Sequence, residues 1–150
     1  MHRFDRDRLR ECPETAFREL RRIRFHDVDA AGIIFYPRIF EHCNDTLIAF
    51  FEATGAPLHE QLREPAWLAP VRHAEADYFA PLRFGDEVEV ALVAAHVAES
   101  EVTVGFRLAR GADRTVCVVA QCVHVFVDPK TFRRSVVPEP LRSAFLRIGA

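Results

Sequence analysis

One stretch in the first half of the chain repeats its apolar residues with the period of an α-helix. It runs from Pro37 to about Thr54, and apolar residues recur there every three or four positions. Gly55 follows, where a glycine commonly ends a helix. The pattern predicts an amphipathic helix whose buried face consists of Ile39, Phe40, Cys43, Leu47, Ile48, Phe50 and Phe51.

Five other segments have the composition of β-strands. Val88, Val90 and Leu92, for example, occupy alternate positions, which is typical of a strand with one buried face. Turn residues such as Pro81 and Gly85 separate the segments. The predicted strands are Arg18 to Phe25, Val71 to Phe79, Glu87 to His96, Glu101 to Ala109 and Thr115 to Asp128.

The order of these elements predicts an α+β architecture. One strand, a helix and then consecutive antiparallel strands allow the sheet to wrap around the helix. Short helices are expected around His59 to Arg63 and from Leu141 to Ile148. Residues 1–16 are polar and predict an extended or partly disordered N-terminal extension. A single domain is expected over 17–150, because 150 residues with 49% hydrophobic content suit one core.

The charge balance excludes some classes of partner. The chain has 20 basic and 22 acidic residues, and its net charge of −2 gives no positive field for nucleic acid. No apolar run approaches the roughly 20 residues of a membrane helix, and the charged N-terminus lacks the apolar core of an export signal. We therefore expect a soluble, cytoplasmic protein. The cysteines lack a C-x-x-C spacing and predict reduced core thiols, with Cys117 and Cys122 on opposite faces of one strand.

The segment between the first strand and the helix carries the candidate chemistry. Asp27 and Asp29 end the predicted strand, Gly32 permits a close backbone approach or a positive φ, and Pro37 suits a first helical turn. The loop thus directs a carboxylate toward a helix N-terminus, whose free N–H groups can bind a developing oxyanion. This predicts a hydrolytic site at Asp29. The alternative is structural, since aspartates often bond nearby N–H groups in turns.

The run from Asp27 to Tyr36 resembles the D-x-D-x-x-G-[IV]-[IV]-[FYW]-[FYH] signature of the hotdog-fold acyl-CoA thioesterases. That family contains 4-hydroxybenzoyl-CoA thioesterase and 1,4-dihydroxy-2-naphthoyl-CoA hydrolase. The segments His73-Ala74-x-x-Asp77-Tyr78-Phe79-x-Pro81 and Gly85-Asp86 also follow in the family's order, and the resemblance covers roughly Phe17 to Pro140. It implies a hotdog fold, in which a five-stranded antiparallel sheet wraps around a long central helix.

The resemblance also implies how the site acts. An acyl-CoA would be hydrolysed to a free acid and CoA, with Asp29 as the nucleophile or as the general base for water. Asp27 would brace the loop, and the backbone N–H of Tyr36 would polarise the thioester oxygen. No cofactor is implied. Metal binding by His26, Asp27 and Asp29, or by Glu41 and His42, lacks a recognised ligand spacing.

Several further residues are candidates for substrate binding. Gly32 and Phe35 belong to the signature, and His73 would bond a substrate hydroxyl or brace the loop. Asn44 stands where 4-hydroxybenzoyl-CoA thioesterase has an aspartate near its phenol-binding region, which weakens that exact substrate assignment. A planar aryl group is favoured by the aromatic residues around the loop, which are Phe25, Phe35, Tyr36 and Phe40. Core packing is an alternative explanation for the rings of Phe35 and Tyr36.

Basic residues after the last strand are candidate contacts for CoA phosphates. Arg133 and Arg134, with Lys130, suit phosphate oxygens, and the alternative is a solvated turn. The resemblance implies a homo-oligomer, a dimer and then a tetramer, because the acyl pocket of this family forms between subunits. Two other functions remain open. One is a hotdog hydratase or dehydratase of enoyl or hydroxyacyl thioesters, and the other is a non-catalytic module that binds acyl thioesters.

Overall fold

The computed structural model describes residues 1–149 and contains one five-stranded antiparallel sheet. The strand order across the sheet is β1-β3-β4-β5-β2, and every neighbouring pair is antiparallel. The predicted α+β architecture is therefore confirmed. The strands are β1 Phe17–Arg22, β2 Val71–Tyr78, β3 Glu87–Val97, β4 Glu101–Arg110 and β5 Val116–Val125.

Within residues 1–149, four α-helices accompany the sheet. They are α1 Arg6–Arg10, α2 Arg38–Ala53, α3 Leu58–Arg63 and α4 Leu141–Leu146. The predicted helix around residues 37–54 is α2, with Pro37 and Thr54 as its caps. Among residues 1–149, no helix has both the length and the apolar composition needed to cross a membrane.

Helix α2 covers one face of the sheet because its apolar residues form one stripe. Ile39, Cys43 and Leu47 are buried on this stripe and join Val90 and Leu92 of β3 in the main core. Burial of each such side chain contributes about 1.5–3 kcal/mol. The face of α2 that points away from the core remains free to shape a site.

The prediction for the N-terminal residues is wrong. Instead of an extended or partly disordered segment, the chain forms α1, which packs against β4 and β5. Leu9 is buried in a second apolar cluster with Ala91, Val93 and Val119. The reason lies in the sheet, because its second face is also apolar at these positions and binds the N-terminal segment.

Two local predictions also change. The first strand ends at Arg22 rather than Phe25, because Phe25–Asp27 form a turn of 3-10 helix. Cys117 and Cys122 both lie in the main core rather than on opposite faces. The pairing of β4 with β5 shifts register between Leu108 and Ala109, so that Cys117 lies in a bulge and the alternation of faces is interrupted. The four cysteines are free, as predicted.

Candidate active site

The candidate loop is a tight β-hairpin that runs directly into α2. The N–H of Phe35 donates to the Asp27 carbonyl oxygen (2.8 Å), and the N–H of Asp29 donates to Ile33 O (3.0 Å). The turn residues are Ala30, Ala31 and Gly32. A three-residue turn of this kind requires a left-handed residue at its third position, and Gly32 has a φ of +74°. An added Cβ would meet no atom within 4 Å, so positive φ, and not close backbone approach, accounts for this glycine.

Asp29 lies at the base of the turn with an exposed side chain. Its Oδ1 accepts a hydrogen bond from the N–H of Ala31 (2.8 Å), which is the structural interaction expected of a turn aspartate. Its Oδ2 has no hydrogen-bond or ion-pair partner within residues 1–149. The carboxylate is thus fixed through one oxygen while the other remains available to a ligand.

The entry to α2 follows the hairpin directly and contains a backbone N–H group without a hydrogen-bond partner among residues 1–149. Arg38 is the first helical residue, and its N–H donates to Phe35 O (2.9 Å). Within the described part of the chain, the N–H of Tyr36 has no acceptor. The hydroxyl of Tyr78 donates to Tyr36 O at 2.5 Å, so β2 holds the helix entry in place. Burial raises the pKa of Tyr78, which keeps its hydroxyl a donor at neutral pH.

Asp27 is buried, and its contacts stabilise the loop. Its Oδ2 accepts from the N–H of Arg24 (2.8 Å) and lies 3.3 Å from Nε2 of the buried His42. The more exposed His26 has its Nε2 3.6 Å from Oδ1. These contacts match the bracing role that the resemblance implies for the first aspartate.

Aromatic rings surround the helix entry and are exposed in the single chain. Phe35 and Tyr36 contact each other edge to face at 5.2 Å, and Phe25 meets Phe84 in the same way at 6.0 Å. Neither Phe35 nor Tyr36 belongs to the core, so core packing does not explain their rings. Phe40 packs partly against the main core.

His73 and Asn44 lie in separate surroundings. The Nε2 of His73 contacts Arg3 Nη2 (2.8 Å) and Glu75 Oε2 (3.0 Å), so the polar contacts of His73 are with a charged cluster rather than with the hairpin. Asn44 is exposed on α2 and lines an apolar cleft of about 200 Å³ with Trp67 and His124. Burial lowers the pKa of His124, an effect partly offset by the hydrogen bond of its Nδ1 to Ala69 O (3.1 Å).

The two candidate phosphate contacts also differ. Arg134 donates to Ser100 Oγ (3.4 Å) and lies 3.9 Å from Glu101. The Arg133 side chain is exposed on a turn that Asp128 stabilises by accepting from the N–H groups of Lys130 and Thr131. Arg133 is therefore the freer of the two guanidinium groups.

The buried thiols are poor nucleophiles. Burial raises the pKa of Cys43 and Cys117, and it raises the pKa of Cys122 to about 11. Since the thiolate is the reactive form of cysteine, these side chains stay protonated and unreactive at neutral pH. None of these three thiols can therefore compete with the carboxylate of Asp29 as a nucleophile.

Comparison with known proteins assigns the family. Residues 23–145 match the model of the thioesterase-like superfamily. The chain belongs to this superfamily. It is 30% identical over 122 residues to a 1,4-dihydroxy-2-naphthoyl-CoA hydrolase of Rippkaea orientalis, a match that covers 81% of this chain and 88% of that protein. The family predicted from the hairpin signature is thereby confirmed.

Solved structures of two thioesterases share the fold. Slr0204, a 1,4-dihydroxy-2-naphthoyl-CoA thioesterase from Synechocystis, superposes with a TM-score of 0.81 at 20% identity, covering 87% of this chain and 96% of that one. The BH1999 gentisyl-coenzyme A thioesterase gives a TM-score of 0.75 at 22% identity, with coverages of 83% and 98%. The predicted hotdog fold is confirmed.

Two residues at the site carried no predicted role. Tyr78 reaches Tyr36 across 42 positions of sequence, a contact that no local pattern announces. For His42 the sequence contains a weak signal. A histidine beside the apolar stripe of α2 is expected to be buried, and a buried histidine needs a polar partner. Asp27, the nearest acidic residue of the signature, is that partner.

Proposed function

We propose that this protein is an acyl-CoA thioesterase that hydrolyses an aromatic acyl-CoA, such as hydroxybenzoyl-CoA or 1,4-dihydroxy-2-naphthoyl-CoA, to the free acid and CoA. The observation that carries the proposal is the hairpin itself. It holds the carboxylate of Asp29 by one oxygen and leads directly to the N–H of Tyr36 at the start of α2. Membership of the thioesterase-like superfamily supports the reaction class.

The chemistry begins with binding of the thioester oxygen at the Tyr36 N–H. A free oxygen of Asp29, or a water that Asp29 deprotonates, adds to the carbonyl carbon, and the carbonyl π electrons move to the oxygen. The N–H stabilises this oxyanion, and a donor of this kind contributes about 3 kcal/mol. When the carbonyl re-forms, the C–S bond breaks and the CoA thiolate takes a proton. In the nucleophilic route, water then cleaves the acyl-aspartyl anhydride.

The surroundings of the helix entry support an aromatic acyl group. The exposed rings of Phe35 and Tyr36 offer flat apolar surface beside the reacting atoms, and aromatic pairs favour offset or edge-to-face contact with a planar group. Asn44 and Trp67 line an apolar cleft farther along α2. The amide of Asn44 can both donate to and accept from an acyl hydroxyl. The names of the relatives described above, which include naphthoyl and gentisyl thioesters, agree with this class.

The site is expected to be completed by a second copy of the chain. Strand β2 is an edge of the sheet, and an edge strand leaves backbone donors and acceptors open to another strand. Val71 and Tyr78 on this strand, and the rings of Phe35 and Tyr36 nearby, are exposed in one chain. Dimerisation at β2 would bury them and enclose the acyl group, and a tetramer of such dimers follows the family pattern.

The proposal is tested with a panel of benzoyl-, hydroxybenzoyl-, dihydroxynaphthoyl-, short-chain and long-chain acyl-CoAs and a thiol reagent that reports free CoA. Asp29→Asn should reduce kcat by about 10³-fold or more, since it removes the reactive carboxylate. Asp113→Asn is the matched control, because Asp113 makes the same turn contact, Oδ1 with the N–H two residues later (3.0 Å), on the β4–β5 turn. Full turnover by Asp29→Asn would refute the assignment.

The panel also separates the competing functions. An absorbance change of an enoyl thioester without thiol release would indicate a hydratase. Binding of acyl-CoA without turnover of any substrate would indicate a binding module. Arg133→Ala should raise KM for acyl-CoA while KM for the matching acyl-pantetheine thioester, which lacks the nucleotide, stays the same. An equal change for both would remove the phosphate contact.

A further inference from the structure

A buried acid–imidazole pair ties helix α2 to the hairpin that carries Asp29. Asp27 is 3% exposed and His42 is 8% exposed. The Nε2 of His42 lies 3.3 Å from Oδ2 of Asp27, and that same oxygen accepts from the N–H of Arg24 (2.8 Å). Among residues 1–149, this pair is the polar side-chain contact between α2 and the hairpin.

Asp27 in turn fixes the geometry of the loop. Its carbonyl oxygen accepts from the N–H of Phe35, and the next residue, Val28, forms a bridge with Ile34. Asp29 follows directly, with its N–H bonded to Ile33 O. A displacement of Asp27 therefore shifts both the carboxylate of Asp29 and the peptide before Tyr36.

The cost of burying His42 indicates that its contact with Asp27 matters. Both ring nitrogens of His42 and the hydroxyl of Thr46, one helical turn later, are buried and have no hydrogen-bond partner within the described residues, so Nε2 approaches Asp27 Oδ2 at ion-pair distance (3.3 Å) without hydrogen-bond geometry. An unpaired buried polar group destabilises a fold, and an apolar residue would fill position 42 without that cost. What distinguishes the imidazole from an apolar residue at this position is its approach to the Asp27 carboxylate, which also accepts from the N–H of Arg24.

Among residues 1–149, no arginine forms an ion pair with Asp27 in addition to its contacts with His42 and His26. A cleft of about 460 Å³ opens beside the pair and is lined by charged residues of β1 and α2. Arg21 is engaged by Asp45 at 2.5 Å, and Glu41 is engaged by Arg38 at 2.7 Å. None of these residues forms an ion pair with Asp27 within residues 1–149.

We propose that His42 is a positioning residue for hydrolysis. Through Asp27 it holds the Asp29 hairpin in register with the start of α2, so that the carboxylate and the Tyr36 N–H face the same carbonyl group. This inference rests on the proposed function. It predicts an effect on kcat rather than on KM, because His42 is 8% exposed and acts on the reacting groups through Asp27.

Three variants test the role of the imidazole. His42→Leu removes the ring nitrogen that lies beside Asp27, and we expect kcat to fall about 30-fold or more, since small displacements of reacting groups are costly. His42→Gln places an amide N–H near Asp27 and should keep kcat within about threefold of the wild type. Thr46→Val is the control from the same buried face of α2, and its kcat should match the wild type. KM should stay within about twofold in all three.

Hydrogen exchange gives a readout that does not depend on turnover. The amides of Ala31, Gly32 and Phe35 are hydrogen-bonded in the hairpin, and their exchange should accelerate in His42→Leu but not in His42→Gln or Thr46→Val. If the wild type hydrolyses no thioester, the proposed function fails, and the exchange rates still decide the positioning role. If His42→Leu does not fold, Asp27→Asn, which keeps the side-chain shape, replaces it with the same expectations.

Two outcomes would overturn the inference. One is wild-type kcat and wild-type exchange in folded His42→Leu, or in Asp27→Asn where that variant replaces it. The other is an equal loss of kcat in His42→Gln and His42→Leu, which would show that the shape of the imidazole, and not its polar contact with Asp27, is what the site requires.

Discussion

Gly32 shows how a single backbone angle shapes the proposed site. Its φ of +74° closes the turn after Asp29, and the surrounding space is open. Gly32→Ala should therefore lower the free energy of unfolding by about 1–2 kcal/mol through backbone strain alone. Gly32→Asn should lose less, because asparagine tolerates the left-handed region better. Urea unfolding of both variants measures this, and an alanine variant as stable as the wild type would contradict it.

Tyr78 acts on the site through one hydrogen bond. Tyr78→Phe removes the donor to the Tyr36 carbonyl oxygen and keeps the ring. The free energy of unfolding should fall by only about 0.5–1.5 kcal/mol, while kcat should fall about tenfold as the helix entry loses its support. Steady-state kinetics on the substrate found by the panel checks the second effect. An unchanged kcat would show that the rest of the hairpin holds Tyr36 without help.

At the scale of elements, the N-terminal segment, which includes Phe4 and α1, packs across the second face of the sheet. We call this segment the strap. The side-chain amide of Gln121 bonds both the N–H (2.8 Å) and the carbonyl oxygen (3.0 Å) of Phe4. Leu9 inserts beside Gly105 of β4, where an added Cβ would lie 2.3 Å from Leu9 Cδ2. Helix α1 is only five residues long, so these contacts with the sheet, and not helix propensity, hold it in place.

The strap predicts a large effect from a residue outside the signature. Leu9→Ala should lower the free energy of unfolding by about 2–5 kcal/mol, because Leu9 is only 2% exposed. Leu62→Ala on α3, where leucine is 74% exposed, should change it by less than about 0.5 kcal/mol. Chemical denaturation compares the pair. Equal small effects would mean that the strap contributes little to stability.

The contact between Leu9 and Gly105 predicts non-additive energies. Gly105→Ala should destabilise the wild type, because the new methyl group collides with Leu9. In a Leu9→Ala background the same change should cost at least about 1 kcal/mol less, since the methyl group enters vacated space. A double-mutant cycle of unfolding free energies measures the coupling. Additive values would show that Leu9 does not contact Gly105 in solution.

At the scale of the whole molecule, His124 makes stability depend on pH. Burial lowers its pKa below the ordinary value of 6.5, so the unfolded chain binds more protons between the two pKa values. The contribution of His124 to the free energy of unfolding is fully present above about pH 6.5, and it is lost as the pH falls toward the lowered pKa. Unfolding free energies at pH 7.5 and 5.5 should therefore differ more for the wild type than for His124→Gln. The same pH dependence in both proteins would contradict the shift.

Local patterns were sufficient to predict most elements of the fold. The helical period found α2, and alternation found the strands to within a few residues, because both signals come from neighbouring positions. They failed for α1, whose apolar residues are few and gain their partners from β4 and β5. They also failed at Cys117, because a bulge depends on how β4 pairs with β5.

The sequence by itself determined the family and predicted the loop and the residues proposed to carry the chemistry, because a turn aspartate, a turn glycine and a helix start are all encoded within ten positions. The hairpin form of that loop came only from the structure. Only the tertiary structure decided what surrounds them. The pairing of Asp27 with His42, the support of Tyr36 by Tyr78 and the contact of His73 with Arg3 join residues distant in sequence. Such contacts depend on how the sheet and α2 pack, and no local pattern records that packing.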